Sequence, residues 1–173
     1  MISSVLSRFQ WTSLFEVGCG PGANLVNISN THKNKQLGGM DLNPEAIELA
    51  QKTFLSAVLK VGSADDIPMS DNSADVILTD MTLIYIGDID KAIREIKRVG
   101  RNYVVLCELH TSSFYDRIRL KYQSGYFAHD YKKLLTNAGF YEIELIKIPR
   151  EVWDGKPQIN FGYIIKAKIP QRK

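Results

Sequence analysis

Short apolar runs alternate along this chain with stretches that repeat at helical spacing. Leu14-Phe15-Glu16-Val17 is an apolar run closed by three glycines at alternating positions, Gly18, Gly20 and Gly22. A helical pattern starts at Ala23, with Leu25, Val26 and Ile28 apolar, so the segment reads as a buried strand, a tight turn and a helix. Gln36 to Asp41 is a second strand, weakened by two glycines and ended by an acid. Asn43-Pro44-Glu45 is a helix start: a capping Asn, Pro at the first position and an acid in the first turn. Ile47, Ala50 and Phe54 form the inward face of that helix. Residues 57–61 form a third strand, and 62–74 are polar and rich in turn residues. Residues 75–80 form a fourth strand, whose unbroken apolar centre suits a sheet covered on both faces. Asp88 caps the next helix, with Ile89, Ile93 and Ile96 inward, Lys91, Arg94, Lys97 and Arg98 outward, and Gly100 ending it. Residues 103–107 are a fifth strand, and 111–129 are less regular. Asp130 caps a helix that buries Leu134, Leu135 and Ala138 and stops at Gly139. Residues 141–148 and 158–169 alternate as an antiparallel pair joined through 149–157. Before all of this, Ile2, Val5, Leu6 and Phe9 share one face of a short amphipathic helix.

Strand and helix alternation followed by a terminal hairpin predicts an α/β fold: a Rossmann-like three-layer sandwich around a mostly parallel sheet. With 173 residues, no repeat and no composition break, residues 1–173 read as one domain. The net charge of +3 is too small to imply nucleic acid by itself. Two cysteines, Cys19 and Cys107, are too few for a disulfide framework, and neither has a partner at metal-ligand spacing. No apolar run has membrane-spanning length, and the N-terminal residues lack the basic and apolar regions of a signal peptide. The expectation is a cytoplasmic protein with no membrane partner.

The glycine loop carries the chemistry. Gly18 and Gly20 permit backbone conformations closed to other residues and let a ligand lie against the main chain. The spacing G-x-G-x-G is one residue shorter than the dinucleotide fingerprint, and Pro21 removes an amide that a pyrophosphate would need. No Lys-Ser or Lys-Thr follows, so it is not a P-loop. Asp41 ends the second strand, where an acid can accept hydrogen bonds from ribose hydroxyls. It can equally support the N-terminus of the following helix.

Glu16-Val17-Gly18-Cys19-Gly20-Pro21-Gly22 resembles the first motif of class I S-adenosylmethionine-dependent methyltransferases, of the type 11/12 kind. The resemblance implies a seven-stranded sheet in the order 3-2-1-4-5-7-6 with the last strand antiparallel. It also implies a ligand crevice at the carboxyl ends of strands one and four. It implies S-adenosylmethionine as cofactor and S-adenosylhomocysteine as product, held by Glu16, Gly18, Cys19, Gly20, Gly22, Asn24, Asp41 and Leu42. Of these, Glu16 meets the methionine amino group and Asp41 the ribose. Val61 to Pro68 is similar to the family stretch G-D-A-x-x-L-P, whose Asp bonds the adenine amino group. Ser63 stands at that position here, Ala64 supplies the next amide, and Asp65 is close enough in sequence to substitute. Thr79-Asp80-Met81 resembles the segment that flanks the methionine moiety and faces the substrate. The segment lacks Pro-Pro-Tyr after its acid, and it has no cysteine for attack on a pyrimidine, which lowers the case for nucleobase methylation.

Methyl transfer from a sulfonium asks for alignment and exclusion of water more than for reactive side chains. The two side chains singled out for catalysis are His110 and Tyr85. His110 lies two residues beyond Glu108, on the same face of a regular strand, and suits proton removal from a hydroxyl acceptor. Tyr85 follows the fourth strand and suits orientation of the substrate. Aromatic and basic residues interleave over 111–130, where the resembled family builds its substrate wall. The leading reading is O- or N-methylation of a small molecule. Its rivals are a tRNA or protein methyltransferase, a cofactor-binding module without activity and, more distantly, a nicotinamide oxidoreductase.

Overall fold

Seven strands hydrogen-bond into one sheet in the order β3-β2-β1-β4-β5-β7-β6. They are β1 (Ser13–Val17), β2 (Gln36–Asp41), β3 (Val58–Val61), β4 (Ala74–Asp80), β5 (Gly100–Leu109), β6 (Tyr141–Lys147) and β7 (Gly162–Lys168). The computed structural model describes residues 1–54, 57–152 and 160–171. β1 to β5 pair in parallel, and β7 runs antiparallel to both β5 and β6. In the middle of the sheet Phe15 lies between Gly38 and Ile77, and Val17 between Met40 and Thr79. The chain leaves β1 toward β2 on one side, while β4 flanks it on the other. The strand order therefore reverses between β1 and β4, and the crevice where open parallel sheets bind ligands lies at their carboxyl ends.

Helices cover both faces. On one side lie α1 (Ile2–Leu6), α2 (Ala23–Thr31) and α3 (Pro44–Thr53), which bury Val5, Leu6, Leu25, Ile28 and Ile47 against Val76, Leu78 and Val105 of the sheet. On the other lie α4 (Ile89–Val99) and α6 (Tyr131–Asn137), packed on Ile77, Val104 and Leu106. Alternate residues of β4 thus serve opposite cores, so the strand reads as continuously apolar. In α4 the residues Ile89, Ala92, Ile93, Ile96 and Val99 are all buried, the spacing of one helical stripe. Each buried Ile there contributes about 1.5–3 kcal/mol.

Helix starts follow their sequence signals at two places. Asn43 Oδ1 accepts from the Glu45 amide at 2.9 Å, and Asp130 Oδ1 from the Lys133 amide at 3.1 Å. Asp88 holds the N-cap position of α4 without a side-chain bond to the helix. Gly100 does not act as a left-handed helix terminator: its backbone is extended and it is the first residue of β5. Packing explains the glycine, because a Cβ there would come within 2.3 Å of Ile169 Cδ1.

The region expected to be less regular contains a helix, α5 (Phe114–Ser124). Ser113 Oγ accepts from the Asp116 amide at 3.2 Å at its start, and Gly125 closes it with φ +75°. Its apolar residues Phe114, Tyr115, Ile118 and Tyr122 are exposed and Leu120 is its buried residue, so no inward stripe announced it. The opening residues of the expected 158–169 strand and most of the 149–157 connection lie outside the described residues. Among the described residues no helix is long and apolar enough to cross a membrane.

Candidate cofactor and acceptor site

The loop from Gly18 to Gly22 is built by backbone bonds that consume its own donors. The amides of Gly18 and Cys19 both donate to Met40 O, at 2.7 and 2.8 Å. The Gly22 amide donates to Cys19 O at 3.0 Å, and the Gly20 amide to Asp41 Oδ2 at 2.8 Å. With Pro21 lacking a donor, none of these amides is left over for a phosphate. This geometry excludes a pyrophosphate cradle at the loop. Gly18 has φ +77°, and a Cβ on it would fall 2.0 Å from Thr82 Oγ1, so the loops after β1 and β4 touch at this point.

Four carboxylates stand at the carboxyl ends of neighbouring strands: Glu16, Asp41, Asp80 and Glu108. Asn24, in the first turn of α2, joins two of them. Its Nδ2 donates to Glu16 Oε1 at 2.8 Å and to Asp80 Oδ2 at 2.9 Å. Glu16 is 1% exposed, and its Oε2 has no protein partner. Burial pushes the Glu16 carboxyl up to about 8, with the charges of Asp80 and Asp41 adding to the effect against the Asn24 bond. Burial likewise pushes the Cys19 thiol up to about 12, and the Cys107 thiol upward as well. Neither thiol is a nucleophile at neutral pH.

Glu108 has a different task. It is fully buried, and its Oε1 accepts from Thr79 Oγ1 at 2.8 Å, the Thr82 amide at 3.0 Å and the Leu83 amide at 3.1 Å. Those bonds fix the turn Leu83–Tyr85 beyond β4. Burial raises the Glu108 carboxyl to about 7 despite them.

Two cavities meet at the end of β4. The first, of about 410 Å³, is lined by Gly18, Asp41, Leu42, Ser63, Ala64 and Tyr85, together with Met40, Thr82 and Ile86. The second, of about 450 Å³, lies over α1 and α2 and is lined by Asn24, Asn27, Ile28, Cys107, Ile148 and Ile164, among others. Asp80 and Met81 line both. Met81 has φ +51°, an uncommon conformation for a residue with a side chain.

Most of the expected cofactor residues therefore converge. Glu16 lies beneath the cavities rather than in their walls, and Cys19 and Gly22 are buried behind the loop. Gly20 (φ +51°) faces open space, with nothing within 4 Å of a Cβ built on it. Asp65 does not turn inward: it ion-pairs with Lys91 at 3.4 Å, and bonds from Ser63 and Lys91 lower its carboxyl. Thr79 is buried against Glu108 and lines neither cavity. His110 also lines neither cavity. Its Nδ1 accepts from the Tyr131 amide at 3.2 Å, its ring packs on Tyr131 and Tyr163, and burial lowers its basicity. Tyr85 is on the rim of the first cavity, edge-on to Tyr126.

Sequence reasoning missed the second cavity. Asn27 follows Asn24 by three residues, which puts both on one helix face and was the available signal. Ile148 and Ile164 come from distant segments and carried none.

The donor set fits S-adenosylmethionine. The orphaned Glu16 Oε2 and the Asp80 carboxylate suit a ligand bearing an ammonium and a sulfonium. Asp41 keeps a lone pair on each oxygen beyond the bonds from Gly20 and from the Asn43 amide (2.9 Å), enough for two hydroxyls.

Comparison with known proteins agrees. The family described as "Methyltransferase domain" matches residues 15–106, more than half of the chain. An ajmaline N-methyltransferase of Rauvolfia serpentina is 28% identical over 57% of this chain and 36% of its own. An O-methyltransferase of Aspergillus sclerotiorum is 32% identical over 58% of this chain and 40% of its own. The matched stretch thus spans well under half of those relatives. Among solved structures, a SAM-dependent methyltransferase from Methanosarcina mazei superposes with a TM-score of 0.75 at 19% identity, covering 98% of both chains. The strand order, the glycine loop with its committed amides and the matched segment lead to one conclusion: this chain belongs to the methyltransferase domain family, whose cofactor is S-adenosylmethionine.

Proposed function

We propose that this chain binds S-adenosylmethionine in the cavity beside Gly18 and methylates an oxygen or nitrogen of a small molecule seated in the adjoining cavity. The observation that carries the reading is the junction of the two cavities at Asp80 and Met81. When bound, the cofactor supplies an activated methyl group with a good leaving group already attached. The protein's part is to hold and to align. Asp41 accepts from the ribose hydroxyls, the Ser63 hydroxyl and the Ala64 amide meet the adenine, and Leu42 covers the rim. Asn24 meets the cationic amino-acid end with Glu16 beneath it, and Asp80 stands between that end and the acceptor cavity. Met81 separates that end from the acceptor, and Tyr85 orients what enters from the rim. The N- and O-methyltransferase activities named for the Rauvolfia and Aspergillus relatives both fall within this reading. Two free, buried cysteines suit a reducing, cytoplasmic setting.

Calorimetry with S-adenosylmethionine, S-adenosylhomocysteine and NAD tests the proposal. The first two are expected to bind at one site and NAD not at all. Wild-type protein that binds neither sulfur compound sinks it.

A further inference from the structure

Asp80 is the one charged side chain among the described lining residues of the second cavity; the Met1 α-ammonium also borders it and makes no ion pair with Asp80 among the described residues. Ile28, Ile148, Ile164 and Met81 give it apolar walls, and Asn24 and Asn27 add neutral polar groups on the α2 side. Asp80 is held in place: its Oδ2 accepts from Asn24 Nδ2 at 2.9 Å. Among the described residues no Lys, Arg or His ion-pairs with it. The nearest acids, Glu16 and Glu108, add no compensating charge. A fixed carboxylate in a mainly apolar chamber is costly until a cation or a strong donor meets it. The same carboxylate borders the first cavity, where the methyl donor belongs.

We propose that the acceptor is an amine on an apolar body, seated in the cavity over α1 and α2 with its nitrogen on Asp80. The proposal rests on the methyltransferase reading above and gives it a substrate class. A primary or secondary alkylamine arrives as the ammonium, loses one proton to solvent and reacts as the free base, which brings both a lone pair and an N–H. The N–H donates to the Asp80 carboxylate, which aims the lone pair at the junction of the cavities. The lone pair forms the new N–C bond while the electrons of the S–C bond return to sulfur. Positive charge then resides on nitrogen, beside a carboxylate already in position to stabilise it. The methylated ammonium gives its extra proton to solvent on leaving. A hydroxyl acceptor would instead have to pass its proton to a base during transfer; a carboxylate is a weak base for an alkanol, and His110 lies outside this cavity. An anionic acceptor would be repelled by Asp80.

Three probes with one phenylalkyl body test this: 2-phenylethylamine, 2-phenylethanol and phenylacetate. Their binding is measured by calorimetry on the wild-type chain, with and without saturating S-adenosylhomocysteine. The amine is expected to bind at least about tenfold more tightly than the alcohol, as for a hydrogen bond to a charged group, and the carboxylate most weakly. Asp80→Asn keeps an oxygen for the Asn24 bond and is expected to bring amine and alcohol within about threefold of each other. Asn27→Trp, at an exposed position on the cavity wall, is expected to block the amine while leaving S-adenosylhomocysteine binding intact. Equal affinity for the three probes, no measurable amine binding, a preference that survives Asp80→Asn, or amine binding unaffected by Asn27→Trp would each overturn the inference. Failure of S-adenosylhomocysteine to bind is read separately and strikes the methyltransferase reading instead.

Discussion

The Gly20 amide donates to Asp41 Oδ2 at 2.8 Å, which ties the loop after β1 to the end of β2. The acid therefore supports the loop while lining the first cavity. Its other oxygen accepts from the Asn43 amide and steadies the start of α3. Asp41→Ala is expected to weaken S-adenosylhomocysteine binding by about 1.5–3 kcal/mol, the range for hydrogen bonds to a charged acceptor. Calorimetry checks it. Affinity equal to wild type would reduce Asp41 to a support for the loop and the helix.

Gly18 and Gly20 differ in what a side chain would meet. At Gly18 a methyl group collides with Thr82, 2.0 Å from its Oγ1, so Gly18→Ala must separate the two loops. Gly20→Ala meets nothing within 4 Å and incurs only the left-handed backbone, about 1–2 kcal/mol. Thermal unfolding is expected to show the larger loss for Gly18→Ala. Equal losses would mean that the loop contact contributes little.

Glu16 is expected to give cofactor binding a pH dependence. Free, its carboxyl titrates near 8, so at pH 7 it is mostly protonated. Pairing with a ligand ammonium favours the ionised form, so binding releases a proton at pH 7. Affinity is expected to rise with pH and level off above about 8. Titrations in buffers of different ionisation enthalpy measure the released proton, and Glu16→Gln is expected to abolish both effects.

Glu108 acts on the stability of the protein without ligand. Its folded value, about 7, exceeds that of an unfolded glutamate, so between the two the folded state binds more protons. Stability is therefore fully present below the unfolded value and declines as pH rises toward 7, by on the order of 3 kcal/mol in all. Glu108→Gln keeps an oxygen for Thr79, Thr82 and Leu83 and is expected to flatten the fall of melting temperature with pH. A slope identical to wild type would assign the decline to other groups.

His110→Ala removes the acceptor for the Tyr131 amide and the packing on Tyr163. We expect a lower melting temperature, with turnover per folded molecule changed less than about twofold, since His110 lines neither cavity. A loss of tenfold or more with an altered pH profile would restore it as a base.

The sheet and its order were legible because strand and helix patterns differ in period, and because the glycine loop names a family. The positions of Asp41, Ser63 and Asp80 followed from lying at strand ends. Three things were not legible. α5 turns its apolar side chains to solvent, so its repeat does not look like a packed helix. Gly100 is chosen by the bulk of Ile169, which is remote in sequence. The fates of Asp65 and Thr79 depend on Lys91 and Glu108, partners that only the folded chain brings near.

Asp80 and Met81 form a party wall, through which occupancy of one chamber can be felt in the other. Any ligand that shifts these residues on one side alters the fit on the other. Linkage then requires reciprocity: the factor by which one occupant changes the affinity of its neighbour is the factor it experiences in return. Met81, in its uncommon backbone conformation, stands on that shared wall.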